Sequence, residues 1–289
     1  MIKTETLKDY VLLDAGDREK LERWKDIILV RPDPMAIWPK TRPELWSKAD
    51  AVYHRSNSGG GSWEFKKPLK EAWRIAYKDL FFKVAPTGFK HTGIFPEQAA
   101  NWDFIYEKIQ GKKDLKILNL FGYTGCATTV AAKAGAAEVV HVDASKSINE
   151  WAKENRDINK LTDAKIRYIV DDALKFIQRE IRRGHHYDGI IMDPPSYGRG
   201  PDNELFKFED KINPLIENCL ELLSENALFF IINTYTTGYS KTALANTLRR
   251  HVEQKGLGGT IISDEIGIAI KDSDYILPCG NTTRWSACE

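Results

Sequence analysis

Hydrophobic and polar positions follow two different rhythms along this chain. Up to about residue 90 the apolar residues come in short blocks with no helical period: Tyr10–Leu13, Ile27–Val30, Ala51–Tyr53 and Leu80–Val84. Arg31-Pro32-Asp33-Pro34 and the tract Ser56-Asn57-Ser58-Gly59-Gly60-Gly61-Ser62 interrupt them. This pattern predicts short strands joined by turns, with the glycine tract as a mobile loop between strands. From Pro96 the rhythm changes. Helices are expected over about 97–109, 126–134, 146–160, 172–183, 204–223 and 240–254, alternating with strands over 115–121, 137–142, 166–170, 187–192 and 227–233. Two late β runs, 259–270 and 281–287, have no helix between them and predict an antiparallel hairpin. Strands alternating with helices imply a doubly wound, mostly parallel, seven-stranded Rossmann-like α/β sheet with that hairpin at its edge. The expected organisation is a small β-rich domain over 1–90 and an α/β domain over 91–289.

Two turns stand out within the second region. Asn119-Leu120-Phe121-Gly122-Tyr123-Thr124-Gly125 follows the apolar run from Leu115, and Asp193-Pro194-Pro195-Ser196-Tyr197-Gly198-Arg199-Gly200-Pro201 follows the run from Tyr187. Ligands of open α/β sheets bind outside the carboxyl ends of the strands, so the two turns are expected to face one cleft. Gly122 and Gly125 are expected to supply positive φ and close backbone approach where the strand gives way to a helix. A nucleotide dehydrogenase would carry G-x-G-x-x-G here, and this chain has only Gly-x-x-Gly. A cofactor without a pyrophosphate fits that floor better.

The next two strand tips carry acids. Asp143 lies 21 residues after Gly122, where a carboxylate can accept both hydroxyls of a ribose. The third strand ends at Val170-Asp171-Asp172-Ala173, where a carboxylate can accept from the exocyclic amine of adenine. Either acid could instead cap the helix it opens, Asp172 in particular.

This order of motifs, Asn119–Gly125, Asp143, Asp172 and Asp193-Pro194-Pro195, resembles the class I S-adenosylmethionine-dependent methyltransferases over residues 90–289. The resemblance implies that the glycine turn passes under the methionine part, the second-strand acid holds the ribose and the third-strand acid holds the adenine amine. The implied cofactor set is Phe121, Gly122, Tyr123, Thr124 and Gly125, then Asp143 with Ala144 and Ser145, then Asp172 with Ala173. The lead-in His91-Thr92-Gly93-Ile94-Phe95-Pro96-Glu97-Gln98 is similar to that of the bacterial large-subunit ribosomal RNA methyltransferases. That likeness implies that Phe95 and Gln98 line the cofactor site.

The second turn is the expected reactive loop. Methyl transfer is an in-line displacement that needs a held, aligned and desolvated nucleophile. Asp193 can accept from an amine or ring N–H, the Pro194 carbonyl can accept a second hydrogen bond, and Tyr197 can stack on a planar base. Ser196 separates the proline pair from the aromatic, a departure from the D-P-P-aromatic pattern of many amino-methyltransferases. Cytosine C5 chemistry would need a cysteine to add to the ring, and the expected fifth strand end, Ile231–Gly238, contains none. The four cysteines, Cys126, Cys219, Cys279 and Cys288, form no CxxC pair, so no metal site is expected. The reading leans to a purine nitrogen.

Composition adds limits and a candidate partner. With 42% apolar and 29% charged residues the chain of 289 can bury a sizeable core. It has no 18-residue apolar run and no leader pattern, so a cytoplasmic protein without a membrane span is expected. Net charge is +1, but Lys40–Lys90 holds 11 Lys and Arg against 5 Asp and Glu. Trp46, Trp63 and Trp73 lie in this stretch and Trp38 just before it. Basic residues interleaved with aromatics suit RNA, with Lys66, Lys67, Lys70 and Arg199 as candidate contacts. An apolar core ringed by solvated lysines gives the same pattern. A protein or small-molecule methyltransferase, or an inactive RNA-binding module on the same fold, remain alternatives.

Overall fold

The computed structural model describes residues 1–3, 6–56, 60–88 and 90–287; Asn57–Gly59 of the glycine tract and Cys288 lie outside the described residues. The chain forms two compact units, Met1–Ala100 with Ile266–Cys279, and Asn101–Glu265 with Gly280–Glu289.

The first unit is β-rich. Strand β1 (Ile2–Lys3) runs parallel to Ile266 and Gly267. Strands β2 (Tyr10–Gly16), β3 (Glu19–Trp24) and β4 (Ile27–Pro32) form an antiparallel meander, whose first turn places Asp17 and Arg18 at φ of 49° and 64°. Two consecutive positive φ values match the right-handed twist of the flanking strands. A single-turn helix α1 (Pro43–Trp46) leads to β5 (Ala51–Arg55) and β6 (Gly61–Phe65), completing the order β2-β3-β4-β5-β6. β7 (Trp73–Tyr77) and β8 (Leu80–Val84) form a separate hairpin. β3, β6 and β7 are absent from the sequence expectation because none contains a clean apolar block: β3 reads Glu-Lys-Leu-Glu-Arg-Trp.

That polar strand is buried nonetheless. Glu22 is fully buried and accepts from Arg31 through Nε (2.6 Å) and Nη2 (2.7 Å), and from the Tyr10 hydroxyl (2.8 Å). Burial works against the Glu22 charge, but the Arg31 guanidinium and Lys20 outweigh it and hold the carboxyl below its ordinary value. Arg31 also donates to the Lys90 carbonyl at 2.9 Å, tying down the lead-in to Pro96.

The second unit carries the parallel sheet. After a 3-10 turn (Pro96–Gln98), helix α2 (Ala99–Ile109) passes into it. Then come β9 (Lys116–Leu120), α3 (Cys126–Lys133), β10 (Glu138–Asp143), α4 (Lys146–Ile158), β11 (Ile166–Val170), α5 (Ala173–Arg182) and β12 (Gly189–Met192). A small hairpin, β13 (Tyr197–Arg199) and β14 (Leu205–Lys207), precedes α6 (Phe208–Glu221), β15 (Phe229–Thr234), α7 (Lys241–Gln254), β16 (Thr260–Ala269) and β17 (Ile276–Ser286). The strand order is β16-β17-β15-β12-β9-β10-β11, with β17 antiparallel to β15, and the Ile266–Ala269 end of β16 and the Ile276–Cys279 end of β17 belong to the first unit. The expected doubly wound sheet and edge hairpin are therefore present. Phe229, Phe230, Ile231 and Ile232 are all fully buried, as a strand covered on both faces requires. Helix α5 buries Ala173, Phe176, Ile177 and Glu180, one stripe at helical spacing.

One expectation fails. The helix expected from about 204 starts at Phe208, and Leu205–Lys207 is a strand. Asn203 adopts φ 69°, and Tyr197–Arg199 pairs with Leu205–Lys207 across that turn.

The buried pair in the first unit sets a stability prediction. Glu22→Ala would leave Arg31 charged and unpaired in the core. The expected loss is about 3–5 kcal/mol, the range for breaking a buried ion pair on one side. Hydrogen exchange over residues 10–32 should accelerate accordingly in the variant.

Candidate cofactor and acceptor site

Register brings the candidate turns together. Leu120, the last residue of β9, pairs with Met192 on one side and Val142 on the other, and Asp143 pairs with Val170. The tips carrying Phe121, Asp143, Asp171 and Asp193 thus lie in one row along the carboxyl edge. β9 and β12 are neighbours, yet the chain leaves them in opposite directions across the sheet, β9 towards β10 and β12 towards β15. This is the topological switch point at which open α/β sheets bind ligands.

The glycine turn is built differently from its expectation. Gly125 does have positive φ (77°), but Gly122 does not; Phe121 (54°) and Tyr123 (51°) do. Two non-glycine residues in the left-handed region store strain in the turn. Gly122 is needed for space: a Cβ there would lie 2.3 Å from the His141 ring. A Cβ on Gly125 would lie 2.8 Å from that of Ala152 in α4. His141 is fully buried, and its Nδ1 lies 2.8 Å from the Thr128 hydroxyl, which in turn accepts from Asn119 Nδ2 at 2.9 Å. Burial pushes the His141 pKa down to about 3, with the Tyr123 backbone opposing the shift. The ring is a neutral platform under the turn. Asn155 Nδ2 of α4 donates to the Thr124 carbonyl at 2.8 Å.

Asp143 closes the turn. Its Oδ2 accepts from Tyr123 N (3.0 Å) and its Oδ1 from Ser145 N (2.9 Å). Burial nevertheless raises its pKa above the ordinary 3.8, and the two backbone donors offset only part of that cost. Ser145 is also the N-cap of α4. Ala144 and Ser145 are half-buried, and Ala173 is buried. Asp172 does cap α5, accepting Lys175 N on Oδ1 at 2.9 Å. Asp171 accepts from Arg179 and from the Asp172 N–H.

In the candidate acceptor loop Asp193 is half-buried and Pro194 buried, while Tyr197 is 57% exposed. The extra residue Ser196 has a structural use: its hydroxyl accepts from Thr236 Oγ1 at 2.8 Å and its carbonyl accepts Phe208 N at 3.1 Å. Tyr197 consequently begins the β13–β14 hairpin. The sequence does not announce three residues that hold this element: Lys175 of α5, and Glu204 and Phe206 of the hairpin. Lys175 donates to Glu204 and, at 3.3 Å, to Asp202. Phe206 meets the Phe121 ring edge-on at 5.2 Å. The turn-forming composition of Gly200-Pro201-Asp202-Asn203 is the sequence feature that marks the hairpin. Arg199 is exposed, but its Nη1 already donates to Asn203 Oδ1 at 2.9 Å.

The remaining candidates are dispersed. Phe95 and Gln98 belong to the first unit, where Gln98 is buried in the 3-10 turn. Lys66, Lys67 and Lys70 are exposed in that unit, with Lys67 paired to Asp50 at 2.7 Å. The tryptophans there serve the fold: Trp38, Trp46 and Trp63 donate to the Ala15 carbonyl, Asp14 and the Thr87 carbonyl, respectively. Phe65, 52% exposed, is the more accessible aromatic. Burial lifts the Cys126 thiol to about 12 and also raises Cys219 and Cys279. Among the described residues no helix is long and apolar enough to cross a membrane.

A family model described as S-adenosylmethionine-dependent methyltransferase matches residues 48–251. A crystal structure of the SAM-dependent methyltransferase from Agrobacterium tumefaciens is 38% identical, with a TM-score of 0.94 over 99% of this chain and 93% of that one. A proposed SAM-dependent methyltransferase from Streptococcus mutans shares the fold at 19% identity and a TM-score of 0.76, over 98% of this chain and 76% of its own. Ribosomal RNA large subunit methyltransferase K of Neisseria meningitidis is 29% identical over 75% of this chain and 63% of its own length. The K/L protein of Syntrophotalea carbinolica is 31% identical over 52% of this chain and 20% of its own. The chain therefore spans from about a fifth to just under two thirds of these curated relatives.

The neutral histidine predicts a pH dependence. His141 titrates at about 3 when folded against 6.5 ordinarily, so the unfolded chain binds the extra proton. Its contribution to stability is complete above 6.5 and is lost as pH falls towards 3, at up to about 1.4 kcal/mol per pH unit. Urea midpoints measured from pH 7 to 5 should fall, and His141→Gln should flatten that slope whatever its effect at pH 7.

Proposed function

Because the chain belongs to the S-adenosylmethionine-dependent methyltransferase family, we propose that it methylates RNA, on a base nitrogen of large-subunit ribosomal RNA, as a cytoplasmic enzyme. The row of strand tips from Phe121 to Asp193 carries the catalytic part of this reading. The relatives named as ribosomal RNA methyltransferases support the RNA part. In this reading residues 1–90 contact the substrate and residues 91–289 hold the cofactor and the reactive loop.

The turn fits this cofactor. Asp143 is a carboxylate whose burial is only partly compensated, and two ribose hydroxyls would supply the missing donors. Gly122 and Gly125 keep the backbone floor free of side chains where His141 and Ala152 press from below. Asp172 and Ala173 would flank the adenine, and Phe121, Tyr123 and Thr124 would border the methionine part. The bound group supplies a methyl already activated on a sulfonium. Asp193 accepts a hydrogen bond from the acceptor nitrogen and orients its lone pair. Tyr197 stacks on the base, and the proline pair limits water at the nucleophile.

A nitrogen acceptor needs no covalent enzyme adduct. The three described thiols agree with this, since burial keeps Cys126, Cys219 and Cys279 protonated at neutral pH. The net charge of +1 also suits a protein or small-molecule acceptor. Salt dependence separates the two readings.

Three outcomes are expected with radiolabelled S-adenosylmethionine and ribosomal RNA lacking the modification. Asp143→Ala should weaken cofactor binding by about 1.5–3 kcal/mol, the range for hydrogen bonds to a charged group. Asp193→Ala should abolish transfer and leave cofactor affinity near normal. RNA carrying 5-fluorocytosine should give no denaturation-resistant complex; a trapped complex lost on mutating any one cysteine would overturn the nitrogen assignment.

RNA affinity should fall steeply with salt, because phosphate contacts release counterions. Reversing the charges of Lys66, Lys67 and Lys70 together should weaken RNA binding and spare cofactor binding. Full RNA affinity in that triple variant would move the RNA surface elsewhere.

A further inference from the structure

The β13–β14 hairpin carries Tyr197 and is fastened at three separate places, two of them on the cofactor side of the unit. Phe206 of β14 packs edge-on against Phe121, a residue of the strained glycine turn. Ser196, just before the hairpin, is bonded to Thr236 beyond the end of β15. The hairpin loop is bonded through Asp202 and Glu204 to Lys175, which lies in the first turn of α5 and whose N–H is capped by Asp172.

Glu204 is the centre of that loop. Its Oε1 accepts from Lys175 while its Oε2 accepts Asp202 N at 2.9 Å. Gly200 leaves room for the carboxylate: a Cβ there would lie 2.3 Å from Oε2. Gly200 N also donates to the Glu204 carbonyl at 2.8 Å. The loop is folded around one carboxylate, whose outward oxygen is fixed by a lysine of the helix that begins at the expected adenine acid. An exposed ion pair like this adds little to global stability. Its placement gives it a different use.

We infer that Lys175 and Glu204 are positioning residues that couple the cofactor site to the acceptor loop. Occupation of the turn and of the Asp172 cap orders the hairpin, and the ordered hairpin presents Tyr197 to the base. The inference rests on the methyltransferase reading and deepens it: cofactor binding prepares the acceptor side.

Hydrogen exchange with mass spectrometry on the full chain, with and without S-adenosylhomocysteine, tests this without needing the acceptor. In the wild type, cofactor product should slow exchange of the 197–207 amides by about fivefold or more, the low end of ordinary coupling between sites. Lys175→Met and Glu204→Gln should lose that protection while retaining cofactor binding and thermal stability. Lys175→Arg, which keeps the cation, should restore it. With RNA as acceptor, the first two variants should raise KM for RNA more than they lower kcat. Hairpin exchange unaffected by cofactor in the wild type, or equally slowed in Lys175→Met, would overturn the coupling. Absence of methyl transfer to RNA by a wild-type protein whose hairpin is protected would instead overturn the RNA reading and leave the coupling standing.

Discussion

A buried neutral histidine underlies the glycine turn, and much of the candidate site follows from its position. The His141 ring fills the space below Gly122, so any side chain at that position collides with it. With Gly122 held there, the left-handed conformations fall on Phe121 and Tyr123. That backbone points the Tyr123 N–H at Asp143 and turns the Phe121 ring towards Phe206. The ring can do this only while neutral, because an imidazolium would be sealed from water with a hydroxyl as its nearest side-chain partner. Its depressed pKa is therefore part of the architecture of the turn.

The proposed acceptor side has to meet the converse requirement. Methyl transfer requires alignment of a group that arrives from solution, so its holder has to be exposed and still well placed. Tyr197 is exposed, but the hairpin beneath it is fixed by an aromatic contact, a hydroxyl pair and an ion pair, each from a different element. The Ser196 insertion supplies one of these fastenings, which explains why the loop departs from the shorter D-P-P-aromatic spacing.

The first unit shows how charge replaces apolar area in a small β structure. Its strand β3 is mostly polar, yet Glu22, Arg31 and Tyr10 pair inside it with short, charge-assisted bonds. Such a pair tolerates neither partner alone, and by holding the Lys90 carbonyl it also fixes the start of the lead-in segment. Of the four tryptophans that made this region look like a stacking surface, Trp38, Trp46 and Trp63 spend their indole N–H groups on internal acceptors and Trp73 buries its own, while Phe65 and the lysines Lys66, Lys67 and Lys70 are exposed.

The sequence by itself determined the alternation of strands and helices from Pro96 onward, the two turns and the acids at successive strand tips. Each is a local signal: buried parallel strands need continuous apolar runs, and their ends need turn residues or caps. Asp172 was legible as a cap for the same reason. Tertiary structure alone decided which residues of the glycine turn carry positive φ, because that depends on a histidine 19 residues further along the chain. It also decided that Leu205–Lys207 is a strand. The partner that stabilises that loop, Lys175, lies on another helix, and no periodicity within residues 197–207 records a bond to it.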